Sequence, residues 1–137
     1  MLRKDAKLEL LRGVPLFAGC SRRELEQVAA IADEVELPAG SALTREGATG
    51  REFVVLVDGA ATVTQGGKTI SKLAAGEFAG EIALLTGRPR TATVTTTAPS
   101  RLLVITAAGF RKLLRDQPGL QLKMLAAVAA RLSDQER

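Results

Sequence analysis

Between Gly76 and Val94 the chain reads GEFAGEIALLTGRPRTATV, and the residues there whose types could do chemistry are Glu81, Arg90 and Thr91. They stand among Gly76, Gly80, Gly87 and Pro89 and beside the apolar run Ile82, Ala83, Leu84, Leu85. A buried strand has no use for so many turn residues, and a solvated loop has none for four apolar residues in a row. A single helical turn starting at GEIALL reconciles the two. The backbone N–H groups of Gly80, Glu81, Ile82 and Ala83 would lie at its N-terminus, where free donors and the dipole together favour an anion such as phosphate.

The side chains fit that anion. Gly80 has no Cβ to keep it away. Arg90, following the Gly87-Arg88-Pro89 turn, could fork onto two phosphate oxygens, a geometry lysine does not offer. The Thr91 hydroxyl could donate to phosphate or to a base edge. Glu81 would repel a phosphate if it pointed the same way, so the acid is assigned to a sugar hydroxyl. Ile82, Leu84 and Leu85 would anchor the turn, and Arg88 is left on the surface. Each residue has a plain alternative, an Arg90–Glu81 ion pair, a strand threonine or ordinary turn glycines; the combination points to a ligand.

Composition excludes more than it includes. Histidine is absent, so neither a Ser-His-Asp nor a Cys-His pair can be built, and most zinc or iron sites lose their preferred ligand. No catalytic residue, metal or catalytic cofactor is expected. The single cysteine, Cys20, cannot close an internal disulfide and reads as a partly buried small hydrophobe. The net charge of +4 comes with acids interleaved among the bases and with no Trp or Tyr to stack on, so no direct nucleic-acid partner is expected. No window is apolar enough for a membrane span and MLRKDAKLEL is too charged for a signal peptide, which makes the cytoplasm the expected compartment.

The elements that must position these residues follow from the patterning. The length of 137 residues suits one domain. Residues 1–34 read as helical: a short helix from Asp5 to Leu11, a break at Gly13-Val14-Pro15, a turn docked by Leu16 and Phe17, and a capping box at Ser21-Arg22-Arg23-Glu24 that opens a helix ending near Asp33. From 35 to 105 short β-rich runs alternate with turn residues, Asp58-Gly59 being a strong hairpin signal, and imply a sandwich, jelly roll or barrel. Residues 106–137 return to helix. Thr106 caps a segment with Phe110, Leu113 and Leu114 on one face, Gln117-Pro118-Gly119 interrupts it, and Leu122, Leu125, Ala129 and Leu132 recur at helical spacing.

Gly80-Glu81-Ile82-Ala83-Leu84 followed by Pro89-Arg90-Thr91-Ala92-Thr93 resembles the phosphate-binding cassette of cyclic nucleotide-binding domains, the family of catabolite activator protein, protein kinase A regulatory subunits and cyclic-nucleotide-gated channels. The resemblance extends to PLFAGCSRRELEQVA at the N-terminal entry, to LPAGSALTREGATGREFVVLVDGAATV in the first strands, and to the two terminal helices. It implies a mainly β fold, an eight-stranded jelly-roll barrel with N-terminal helices, a cassette over 76–93, and C-terminal hinge and lid helices. It also implies that Glu81 binds the ribose 2′-hydroxyl and Arg90 the cyclic phosphate, with Gly80, Ala83 and Thr91 completing the shell. Ile82 and Val54 or Leu56 would wall the base, and Arg131 would cap it from the last helix. The implied ligand is cAMP, with cGMP the alternative because a hydroxyl at position 91 accompanies either. Many members carry an aromatic residue just before the Gly-Glu pair, where this chain has Ala79 after Phe78.

The expected mechanism is a ligand-driven shift of the helices about Pro118-Gly119 that signals to an effector protein or domain. With the chain ending at Arg137, a stand-alone sensor and an excised regulatory domain both remain open, as does the oligomeric state. Three rivals rank below the sensor: an interaction module whose barrel has lost its ligand, against which Glu81 and Arg90 argue; a cupin-like enzyme, which would need histidine ligands; and direct DNA binding through the basic surface, which predicts salt-dependent affinity for any duplex.

Overall fold

The computed structural model describes residues 4–49 and 52–135, with the backbone alone given for Lys4, Ile82, Ala83 and residues 132–135. Helix α1 (Lys4–Arg12), a 3-10 turn (Pro15–Phe17) and helix α2 (Arg22–Ile31) precede strands β1 (Ala32–Leu37), β2 (Ala42–Thr44), β3 (Glu52–Asp58), β4 (Ala60–Gln65), β5 (Lys68–Ala74) and β6 (Phe78–Ala79). Helix α3 (Glu81–Thr86) interrupts the strands before β7 (Thr93–Thr96) and β8 (Ser100–Thr106), and α4 (Ala107–Asp116) and α5 (Pro118–Gln135) close the chain.

The strands form two four-stranded antiparallel sheets, in the orders β1-β8-β3-β6 and β2-β7-β4-β5, the arrangement of a jelly roll. Alternation along β3 shows what each face meets. Phe53 and Val55 join the helices in one buried cluster with Leu25, Val28, Leu103, Ile105 and Phe110, while Val54 and Leu56 join Ala61, Leu73, Ala79, Val94 and Leu102 between the sheets. The Phe53 ring stacks on Phe110 with centroids 4.5 Å apart. The first sheet is therefore the middle layer of three, with the helices on one side and the second sheet on the other. Among the described residues no helix is long and apolar enough to cross a membrane.

The helix starts are chemically specified. The Ser21 side chain accepts from the Glu24 amide at 3.2 Å and the Glu24 carboxylate accepts from the Ser21 amide at 2.8 Å, the reciprocal capping box. These bonds hold the Glu24 carboxyl below its usual range, so this part of the cap is present above the ordinary glutamate pKa and fades as pH falls through the lowered one. Ser21→Ala is expected to lower the thermal midpoint by about 4 °C for a loss of about 1 kcal/mol, read by far-ultraviolet circular dichroism. Thr106 likewise accepts from the Gly109 amide at 3.1 Å to start α4.

Two expectations are corrected. Helix α2 ends at Ile31 and not near Asp33, because Ala32 and Asp33 already pair with Ile105 and Val104 of β8. Asp58-Gly59 is no hairpin turn: β3 and β4 belong to different sheets, and Gly59 alone of the pair has positive φ, +111°. It is a corner from one sheet to the other, where a Cβ on Gly59 would lie 2.8 Å from Ser100 Cα. The hairpin instead lies at Gly66-Gly67, with φ of +59° and +80° between paired Gln65 and Lys68, as a mirror-image two-residue turn requires.

Candidate functional site

Strand β6 pairs with β3 through Val54–Ala79 and Val55–Phe78, and this delivers the chain to Gly80 and the start of α3 against the middle sheet. Gly80 turns there with φ of +96°, a conformation L side chains rarely adopt. A Cβ at that position would lie 2.6 Å from the Glu52 carbonyl oxygen and 3.3 Å from Arg90 Cζ. The glycine is needed for both its dihedral and its closeness to the arginine.

Arg90 is fixed at both ends. Its backbone N–H donates to the Ala48 carbonyl at 2.7 Å, and its carbonyl accepts from the Gly47 amide at 2.8 Å. Its side chain donates from Nη1 to the Gly80 carbonyl at 2.9 Å and from Nη2 to the Glu52 carbonyl at 2.7 Å. The residue is 8% exposed. Burial pushes the guanidinium pKa down, and the charges of Glu52 and Glu81 push it back up. Among the described residues no carboxylate forms an ion pair with it, so a buried cation is held rigidly by two neutral carbonyls.

Glu81 begins α3 and is 3% exposed. Its Oε1 accepts from Arg131 Nη1 at 2.7 Å. Arg131 also donates to the Phe78 carbonyl and lies over the Phe78 ring, 4.2 Å from its centroid. Phe78 thus sets an aromatic face under the α5 arginine although Ala79 occupies the position next to Gly80.

A cavity of about 310 Å³ lies over these groups, within the size range of small-molecule sites. Gly80, Glu81, Arg90, Thr91 and Arg131 line it on the polar side, and Val63, Ile70, Leu73, Ala79, Val94 and Val128 supply apolar wall. The arrangement offers an anion a bidentate cation beside the N-terminal amides of α3, offers a hydroxyl a buried carboxylate, and offers a flat apolar group the walls of β4, β5 and α5. No group of three or more His, Cys, Asp or Glu residues able to hold a metal occurs among the described residues.

The structure brings together Gly80, Glu81, Arg90, Thr91 and Arg131. The expectations for the Ile82 and Ala83 side chains lie outside the described residues. Val54 and Leu56 do not line the cavity: they are 3% and 0% exposed, packed in the inter-sheet cluster behind Leu73, Ala79 and Val94. The wall expected of them is made by Val63, Ile70 and Val128 instead. Leu122 and Leu125 are 70% and 66% exposed; α5 packs through Leu120 and Met124. Sequence reasoning also missed Glu52, whose hydrogen bond to Arg90 comes from the backbone carbonyl and leaves no mark in residue type. A polar link joins the cassette to the helices, since Arg111 of α4 donates to the Leu84 carbonyl of α3 at 3.4 Å.

The chain is similar in sequence and fold to known proteins. The chain is 36% identical over 121 residues to a cAMP-dependent protein kinase regulatory subunit of Mycosarcoma maydis, covering 82% of this chain and 23% of the relative. It is 33% identical over 110 residues to a cyclic nucleotide-gated potassium channel of Rhizobium etli, covering 80% of this chain and 31% of that one. The chain therefore spans less than a third of the length of these relatives. In fold it superposes on the regulatory domain of Toxoplasma gondii protein kinase A, solved with cAMP, with a TM-score of 0.82 at 24% identity over 94% of this chain and 50% of that one. The sequence model described as the cyclic nucleotide-binding domain matches residues 34–117, from β1 to the end of α4, and the chain belongs to that family.

Proposed function

We propose that this chain is a single, non-catalytic regulatory domain that binds a cyclic nucleotide, cAMP in preference to cGMP, in the cavity between the cassette and α5. The observation that carries the reading is Arg90: a buried guanidinium, oriented by two carbonyls, in no ion pair among the described residues, on the wall of a cavity. Such a charge is best compensated by an anion. A cyclic phosphate diester presents two exocyclic oxygens for the fork and no second charge to repel Glu81. In this reading the amides of Gly80 and Ala83 and the Thr91 hydroxyl complete the phosphate shell, Glu81 accepts from the ribose 2′-hydroxyl, and Val63, Ile70, Val128 and Arg131 enclose the base. The names of the Mycosarcoma maydis and Toxoplasma gondii relatives support cAMP as the ligand.

The mechanism follows from what the cavity touches. Ligand contacts to α3 reach α4 through Arg111 and the buried Leu84, and contacts to Arg131 and Val128 act on α5 directly. A ligand that binds one placement of these helices better shifts the population toward it while the sheets stay fixed. The output is a helix surface read by an effector protein or domain in the cytoplasm, as the kinase-subunit and channel relatives suggest. Calorimetric titration with cAMP and cGMP in parallel tests the proposal. Binding of cAMP in the micromolar range or tighter, and weaker for cGMP, is expected; no heat with either would refute it.

A further inference from the structure

Gln117 belongs to neither α4 nor α5, and it is 2% exposed. Its backbone completes the corner, with its N–H donating to the Leu113 carbonyl at 3.0 Å and its carbonyl accepting from the Leu120 amide at 3.0 Å. The side chain does something the corner does not need. It reaches into the N-terminal layer, where Nε2 donates to the Glu24 carbonyl at 3.2 Å and to Gln27 Oε1 at 2.9 Å, and where Cys20 Sγ lies 3.8 Å from Oε1. Burying a primary amide is unfavourable unless both of its ends are bonded, and here both are.

Its position gives these bonds leverage. Helix α5 starts at Pro118 and brings Val128 and Arg131 to the cavity. Over the intervening residues the helix is roughly 21 Å long, so a tilt of about 10° at the corner moves Arg131 by about 4 Å and separates it from Glu81. The buried Leu120 and Met124 hold the base of α5 to the body, but apolar burial is non-directional. The amide's bonds to α2 have direction.

We infer that Gln117 is a positioning residue for the nucleotide site: its side chain fixes the α4–α5 corner on α2 and thereby sets where Arg131 meets Glu81. The affinity consequence rests on the function proposed above, whereas the placement of α5 can be read without any ligand.

Hydrogen exchange on the ligand-free chain is the first test, with two variants. Gln117→Met keeps the length and removes the polar ends, and Gln27→Ala deletes one acceptor at an exposed position and leaves the interior closed. Amides of α5 beyond Leu120 are expected to exchange about tenfold faster in Gln117→Met and about threefold faster in Gln27→Ala, with β3 and β8 changed by less than about twofold. In cAMP titrations Gln117→Met is expected to weaken binding about fivefold, and to do so no longer in an Arg131→Ala background, where no arginine is left to place. Equal acceleration of β3, β8 and α5, unchanged exchange in α5, or the same loss of affinity with and without the Arg131 side chain would overturn the inference. If the unaltered chain binds neither cAMP nor cGMP, the proposed ligand is wrong, and the exchange data still decide the role of Gln117.

Discussion

Replacing Arg90 with alanine is expected to weaken cAMP binding by about a hundredfold or more, measured by calorimetry. The guanidinium would make two charge-assisted bonds to the phosphate, each worth about 1.5–3 kcal/mol where water is excluded, and a factor of ten in affinity corresponds to about 1.4 kcal/mol. Arg90→Lys separates charge from geometry. A lysine keeps the cation but cannot span the Gly80 and Glu52 carbonyls as the two guanidinium nitrogens do, so binding should fall between alanine and the native residue, about tenfold below the latter. Both variants must still melt cooperatively for the loss to be assigned to the site. Unaltered affinity in a folded Arg90→Ala chain would remove the phosphate from this position.

The second large effect is expected at Gly80. An alanine there meets two penalties together: a φ of +96° and a Cβ only 2.6 Å from the Glu52 carbonyl oxygen, which β3 holds in place. The first costs about 1–3 kcal/mol, and relieving the second pushes Arg90 or the cassette out of register. The thermal midpoint should drop by on the order of 10 °C, with cAMP affinity lost in parallel. Gly40→Ala is the matched control, since Gly40 has φ of +85° but an added Cβ there would meet nothing within 4 Å. It carries the dihedral cost without the collision, and its binding should be preserved. Equal shifts in the two variants would mean that the close approach at Gly80 has no energetic weight.

What could be read from sequence divides by range. The capping box, the Thr106 cap and the helical turn at Glu81 are decided within a few residues, and each appears where the pattern put it. The cassette was legible for the same reason: glycine, acid and arginine sit close enough along the chain for their spacing to mean something. Asp58-Gly59 shows the limit. A turn signal records that the chain reverses, not which sheet it enters, and only the positive φ at both Gly66 and Gly67 identifies the true hairpin. Val54 and Leu56 do point inward, but period-two alternation does not say how many layers separate an inward residue from a cavity. Helix α5 misled differently. It is apolar around most of its circumference, so Leu122-Leu125-Ala129-Leu132 and Leu120-Met124-Ala127-Arg131 are both acceptable helical stripes, and the body contacts the second. Gln117 carried no signal because its partners are 90 and 93 residues away.

The middle sheet's outer face is covered by segments from opposite ends of the chain, α1 and α2 before the strands and α4 and α5 after them. During synthesis, then, Phe17, Leu25 and Val28 leave the ribosome long before Phe110, Leu113 and Leu120 exist to cover them. At typical elongation rates of about 5–20 residues per second, that interval is roughly 5–20 seconds. For that time the nascent chain carries an uncovered greasy surface on its earlier helices, a natural landing place for chaperones, and the layer is sealed only when α5 has emerged.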